Sequence, residues 1–294
     1  MLSVLTLSAW SPAPVPAQTA PQAEAPRLLI RCDDFGMCHA VNMAIQQVIA
    51  AGIPVSVSVM FACPWYQEAV EILRAHPEVS VGVHLTLNAE WKNYRWGPVA
   101  GRSQVPSLVD REGFFFPSRA LLMANRPKDS EVEKELRAQV ERALRTGLRI
   151  DYLDHHMGTA MQTEKWRRMV EKLAQKHQLG IPQYFDEAYS SATYAAPQAG
   201  KVDSLVAHLQ KLDRQRVNLQ VMHVGLDTPE MAALIDLNAF GLANMSQHRQ
   251  AELAALLSPQ FRAAVEQHGV RLITYRDLIA AEGLAKMRRP GLTQ

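Results

Sequence analysis

The chain is short of cysteine, of unbalanced charge and of long apolar runs, and each shortage removes a class of protein. Cys32, Cys38 and Cys63 are its only cysteines, and no two form a CxxC pair. An odd, scattered set offers neither a disulfide framework nor a structural zinc site. Cys32, inside an apolar run, reads as a small buried hydrophobe, and packing is the expectation for the other two. Lysine and arginine number 31 against 29 aspartates and glutamates, so nothing points to nucleic acid or an anionic membrane as partner. After the first residues no apolar run approaches the ~20 residues of a membrane span.

The first 26 residues differ in composition from the rest. Met1 to Trp10 is apolar, and Ser11 to Pro26 is rich in Pro, Ala and Gln with no charge before Glu24. This resembles a signal-peptide core followed by a linker, although a positive n-region is lacking. The expectation is a periplasmic or secreted protein; a cytoplasmic one with a disordered tail is the alternative. The remaining residues, 27–294, suit one large α/β domain.

What is present is a repeated strand–helix alternation. Leu28-Leu-Ile-Arg-Cys is a short bounded apolar run, read as a buried strand, and it ends in Asp33 and Asp34. A helix follows from about His39 to Ala51. Pro54 to Met60 alternates, with Val55, Val57 and Val59 on one face and Ser56 and Ser58 on the other, which suits a barrel interior. Val79 to Leu87 places Gly82, His84 and Thr86 on one face. Residues 88–128 are irregular and aromatic, an insertion read either as a packed flap or as a substrate-contacting wall that includes Trp91 and Trp96. Ser130-Glu-Val-Glu133 predicts a capping box opening a helix with Val132, Leu136, Val140 and Leu144 on its apolar stripe. Leu148 to Thr159 contains Asp154, His155 and His156; Ile181 to Phe185 is a predicted strand; Leu219 to Gly225 contains His223; Val270 to Thr274 is the last strand. With no hairpin signal, this order predicts about seven parallel strands joined by crossover helices.

The polar residues fall at the C-terminal ends of those strands, the rim where active sites of parallel barrels lie. Asp33 and Asp34 are adjacent carboxylates whose repulsion calls for a positive neighbour, and a metal ion is the simplest; the plainer reading is an Asp-Asp-x-Gly turn capping the next helix. Histidines arriving from separate strands favour the metal. Asp34, His84 and His156 form a two-imidazole, one-carboxylate set suited to zinc, manganese, iron or nickel with coordination positions left open. Asp33 is then free to act as a base. Tyr152, Asp154 and His156 share one strand face, which makes His156 a better ligand than His155 and Asp154 the residue that orients a ligand.

Cys-Asp33-Asp34-Phe-Gly-Met, Gly82-Val-His84-Leu-Thr-Leu, Leu-Asp154-His-His156-Met-Gly-Thr and Met-His223-Val-Gly resemble, in order, the motifs of YdjC-like carbohydrate deacetylases. Arg249-Gln-Ala-Glu252-Leu and Val270 to Leu278 resemble the C-terminal segment of that family. The resemblance implies a distorted, incomplete (β/α) barrel and one divalent ion, zinc or magnesium, held by Asp34, His84 and His156. It further implies Asp33 as base, His223 as acid, Arg249 among the substrate contacts, and a small acetylated carbohydrate as substrate, in a chain that forms a homo-oligomer or acts alone. A metal-dependent sugar isomerase or aldolase, and a non-catalytic carbohydrate-binding protein, are the alternatives. Two positions depart from the family pattern: Gly158 where many members have a histidine, and Val224 where many have proline.

Overall fold

The computed structural model describes residues 25–290, so residues 1–24 of the expected signal-like segment lie outside the described residues. Strand and helix alternate as β1 (Arg27–Phe35), α1 (His39–Ala50), β2 (Ser56–Val59), α2 (Tyr66–Ala75), β3 (Ser80–Leu85), α3 (Arg119–Ala124), α4 (Asp129–Arg145), β4 (Tyr152–His155), α5 (Glu164–His177), β5 (Ala188–Ser190), α6 (Lys201–Leu209), β6 (Val217–Met222), α7 (Pro229–Ala232), α8 (Met245–Leu256), α9 (Pro259–Gln267), β7 (Arg271–Ile273) and α10 (Tyr275–Glu282). The seven strands form one parallel sheet in the order β4-β3-β2-β1-β6-β5, with β7 beside the first half of β1. Among the described residues β4 and β5 do not pair with each other, so the curled sheet is an incomplete barrel.

Period-two alternation sorts the strand residues into two cores. Outward-facing Leu28, Ile30, Val57, Val59, Val81 and Val83 pack beneath the helices. Leu29, Tyr152, Val217, Leu219, Val221 and Ile273 fill the concave side, joined by Tyr275 at the start of α10. The β2 serines do face inward: Ser56 Oγ accepts the Tyr275 N–H at 2.9 Å, and Ser58 Oγ donates to Asp154 at 2.9 Å. Opposite Tyr152 only glycine fits, because a Cβ at Gly82 would lie 2.2 Å from the ring. Overpacking there would cost about 1–3 kcal/mol.

One irregularity in the ladder matters for the site. Cys32 pairs with Val57 and Phe35 with Val59, so β1 carries one residue more than β2 across the Asp33–Asp34 step. This extra residue is a β-bulge, and Asp34 sits at φ +68° within it, a conformation aspartate tolerates better than most residues. The bulge breaks the alternation that would send neighbouring side chains to opposite faces, so both carboxylates reach the rim. The plainer alternative, aspartates capping the next helix, is not realised: the chain turns through the Met37 N–H to Asp34 carbonyl bond at 2.9 Å, but α1 has no side-chain cap.

Three local expectations need correction. Residues 181–185 form no strand; Gly180 makes a single bridge to Tyr152, and Pro182 with left-handed Gln183 (φ +68°) and Asp186 (φ +58°) turns the chain before β5 begins at Ala188. Helix α4 starts at Asp129 without a capping box. Asp129 instead accepts the Trp166 indole N–H at 2.9 Å, and Glu131 accepts the Ser107 N–H at 2.7 Å. Leu144 leaves the apolar stripe, being 37% exposed, and Ala143 is buried in its place.

The insertion is a packed flap with one short helix, α3. Trp91, Trp96 and Phe115 are buried in the outer core, and Glu135 anchors the flap by accepting the N–H groups of Val99 and Ala100 at 2.9 and 2.8 Å.

Candidate metal centre

At the C-terminal rim, three side chains from three segments meet. Asp34 Oδ1 lies 3.4 Å from His84 Nε2 and 3.3 Å from His156 Nδ1, and the two nitrogens are 3.3 Å apart. All three residues are buried. Ligands of a tetrahedral ion at about 2.1 Å stand about 3.4 Å apart, so the triangle has the size that a divalent ion requires.

The far side of each ligand is held. His84 donates its Nδ1–H to Asp154 Oδ2 at 2.8 Å, which leaves the Nε2 lone pair for the centre. His156 donates from Nε2 to Glu90 at 3.0 Å, which leaves Nδ1. Carboxylates accept and never donate when ionised, so they dictate these tautomers. Asp34 Oδ2 receives Arg249 Nη2 at 2.6 Å, while Asp34 Oδ1 is a buried oxygen without a hydrogen-bond partner. An orphaned buried carboxylate oxygen facing two imidazole nitrogens fits a metal cation.

Charge leads to the same conclusion. Arg31 donates to both oxygens of Asp33, at 2.6 and 2.8 Å, and its Nη1 lies 2.9 Å from Asp154. Four carboxylates (Asp33, Asp34, Asp154, Glu90) against two guanidiniums (Arg31, Arg249) leave two negative charges when the imidazoles are neutral. Burial works to lower the histidines, but Asp154 and Asp33 raise His84 to about 9, and Glu90 and Asp34 raise His156 to about 10. Burial likewise works to raise Asp34, yet Arg249 and the two imidazoles hold its carboxyl well below the usual carboxylate range. Such a field invites a divalent cation.

A cavity of about 360 Å³ opens over this centre, with Asp33, Asp34, His84, His156 and His223 in its wall. His223 follows β6, on the other side of β1 from His84. Its backbone N–H donates to Glu252 Oε2 at 2.6 Å, its ring Nδ1 is buried without a partner, and the Tyr194 ring stands edge-on at 5.4 Å. Lys201 completes this arrangement, donating to the Thr193 and Tyr194 carbonyls and lying 3.4 Å from Glu252. Helix α8 therefore supplies both Arg249 to Asp34 and, one turn later, Glu252 to His223.

Other expected contacts are placed differently. Trp96 does not reach the cavity; its ring stands 6.3 Å from His156, behind it, and its N–H is taken by the Asn88 carbonyl. Trp91 and Arg249 line the cavity but are almost wholly buried. His155 also lines it, with Nδ1 unpartnered, and burial lowers its pKa. The sequence reading missed Arg31, Glu90, Lys201 and Ser58. Arg31 did carry a signal, a charged residue two before Asp33 inside an apolar strand; Glu90, in an irregular stretch, carried none.

A family model described as YdjC-like protein matches residues 27–267. The chain belongs to that family. A carbohydrate deacetylase from Geobacillus stearothermophilus is 28% identical over 265 residues, covering 85% of this chain and 96% of that protein. One from Vibrio campbellii is 25% identical over 269 residues, covering 89% and 100%. Among solved structures, a protein of Enterococcus faecalis V583, provisionally named a cellobiose-phosphate cleavage protein, superposes with a TM-score of 0.71 at 23% identity, covering 86% of this chain and 99% of that one. This last likeness speaks to the YdjC-like fold alone.

Proposed function

We propose that this YdjC-like protein is a carbohydrate deacetylase that hydrolyses an acetyl group, N-linked or O-linked, with one divalent ion, zinc or magnesium, held by Asp34, His84 and His156. The observation that carries the reading is the 3.3–3.4 Å triangle of those three donor atoms beside an arginine-held Asp33. The names of the deacetylase relatives support the substrate class.

When bound, such an ion supplies Lewis acidity, polarising the acetyl carbonyl and lowering the pKa of water. The chain's residues supply the proton transfers. Asp33 takes a proton from water as its oxygen adds to the acetyl carbon; the Arg31 fork fixes the carboxylate's direction, and each oxygen keeps a second lone pair. His223 delivers a proton to the departing nitrogen or oxygen as its bond to the acetyl carbon breaks, giving acetate and the free amine or alcohol. The proton on Asp33 and the hydroxyl proton of the acid then pass to solvent, and His223 takes one proton back. His84 and His156 are held in place because Asp154 and Glu90 accept from their outer nitrogens, so that each would turn its inner nitrogen to the ion.

The test is acetate release from acetylated mono- and disaccharides by metal-loaded protein. Acetate with a stoichiometric deacetylated sugar is the expected result. Sugar interconversion without acetate would move the protein to isomerase or aldolase chemistry, and binding without turnover would make it a carbohydrate-binding protein.

A further inference from the structure

The tryptophans expected to stack on sugar are not free to do so. Trp91 and Trp96 are only 1% and 3% exposed. Their indole N–H groups are engaged, one by Met37 Sδ and the other by the Asn88 carbonyl. The cavity wall nevertheless contains two aromatic rings that stand open to solvent, Tyr189 at 52% and Phe240 at 65%.

Exposure of large apolar groups on this molecule is concentrated at that mouth. Among the described residues, five large apolar side chains are 48% exposed or more: Phe240, Ile235, Tyr189, Leu121 and Leu237. Two are in the cavity wall, and Ile235 and Leu237 flank the wall residue Asp236 on Phe240's segment; Leu121, on α3, is the exception. Apolar exposure gathered beside a polar catalytic cavity marks a ligand surface.

The segment bearing Phe240 is pinned. The Leu237 N–H donates to the Glu90 carbonyl at 2.9 Å, and the Lys92 N–H donates to the Ile235 carbonyl at 2.9 Å. Asn238 Nδ2 donates to the Pro117 carbonyl at 3.1 Å. Residues 235–238, just before Phe240, are therefore anchored on Glu90, the residue that holds His156. Tyr189 is the middle residue of β5, at the open edge of the sheet. A backbone tied down this closely around a bare ring is a built surface.

We propose that Phe240 and Tyr189 form the stacking wall for the apolar face of a pyranose ring, and that this wall sets affinity for the carbohydrate and leaves the chemical step to the metal side. The proposal rests on the deacetylase reading for its substrate class. Pyranose rings present axial C–H groups on one face, which suit the electron-rich face of an aromatic ring.

The experiment compares wild type, Phe240→Ala, Tyr189→Ala and Phe240→Trp, using the N-acetylglucosamine β-1,4 disaccharide as probe. Acetate release gives kcat and KM, calorimetry gives disaccharide affinity, and elemental analysis gives metal content. Each alanine variant should raise KM and weaken calorimetric binding roughly fivefold, the scale of one aromatic contact, with kcat and metal content retained and with Phe240→Trp close to wild type. Unchanged KM and affinity in both alanine variants would overturn the proposal, as would a loss of kcat or metal with affinity intact. Should wild type release no acetate, the deacetylase reading fails on its own, and the calorimetric comparison still decides the wall.

Discussion

The two sides of the cavity are built on opposite principles. On the side of β1, β3 and β4 the proposed base and the three proposed ligands are buried and their outer atoms are held: Asp33 by Arg31, Asp34 by Arg249, His84 by Asp154 and His156 by Glu90. On the side of β5, β6 and the 235–240 segment, Tyr189 and Phe240 are exposed and His223 has a ring nitrogen without a partner. A metal site gains from rigidity, because ligands already in place need no reorganisation when charge develops. A substrate surface must meet something that arrives from water, and its unpaired groups are the ones left for that ligand. The difference teaches that site residues in this fold are recognised by what holds them as much as by what they are.

The largest predicted effect lies on the held side. His156→Ala should lose the ion and all measurable acetate release, whereas His155→Ala should keep stoichiometric metal and most of its activity; metal analysis of both variants checks this. Retention of metal by the first and loss by the second would reverse the assignment of the two neighbours.

A smaller effect is expected where the open side is tied to the held one. His223→Ala should lower kcat by ~10²–10⁴, the usual worth of a general acid or base, with metal intact. Glu252→Ala frees the His223 N–H from its 2.6 Å bond and should lower kcat in part. The double variant should be no slower than His223→Ala alone, because Glu252 holds the backbone that carries that imidazole and has no other route to the reaction. Additive losses would show that Glu252 does not act through His223. The smallest effect is Glu90→Gln, which keeps a hydrogen-bonding oxygen but removes the charge beside His156. Metal affinity should weaken ~10–100-fold, measured by competition with a chelator, and saturating ion should restore the rate.

Much of this arrangement is legible in the sequence, and the reasons are local. Short apolar runs separated by amphipathic helices lead to a parallel sheet, and strand phase alone places His84 and His156 on the rim. What could not be read there depends on contacts distant in the chain. Glu90 meets His156 because a flap folds back through Trp91 and Trp96, and no periodicity marks a loop. That Asp34 reaches the same rim as its neighbour Asp33 depends on a bulge, which only a neighbouring strand can define. The strand expected at 181–185 fails for a local reason, since Pro182 and two left-handed residues stop it. The sequence leaves the aromatic insertion open between packed flap and substrate wall because residue type is visible there and burial is not.

The central claim is that two adjacent aspartates divide the work, Asp34 as ligand and Asp33 as base. It is tested most directly by titrating metal into Asp33→Asn and Asp34→Asn while following acetate release. The account predicts that Asp33→Asn binds one ion per chain with near-normal affinity while kcat falls ~10²–10⁴, and that Asp34→Asn binds weakly and recovers part of its activity in excess ion. Loss of metal by Asp33→Asn, or a normal kcat in it, would contradict that division.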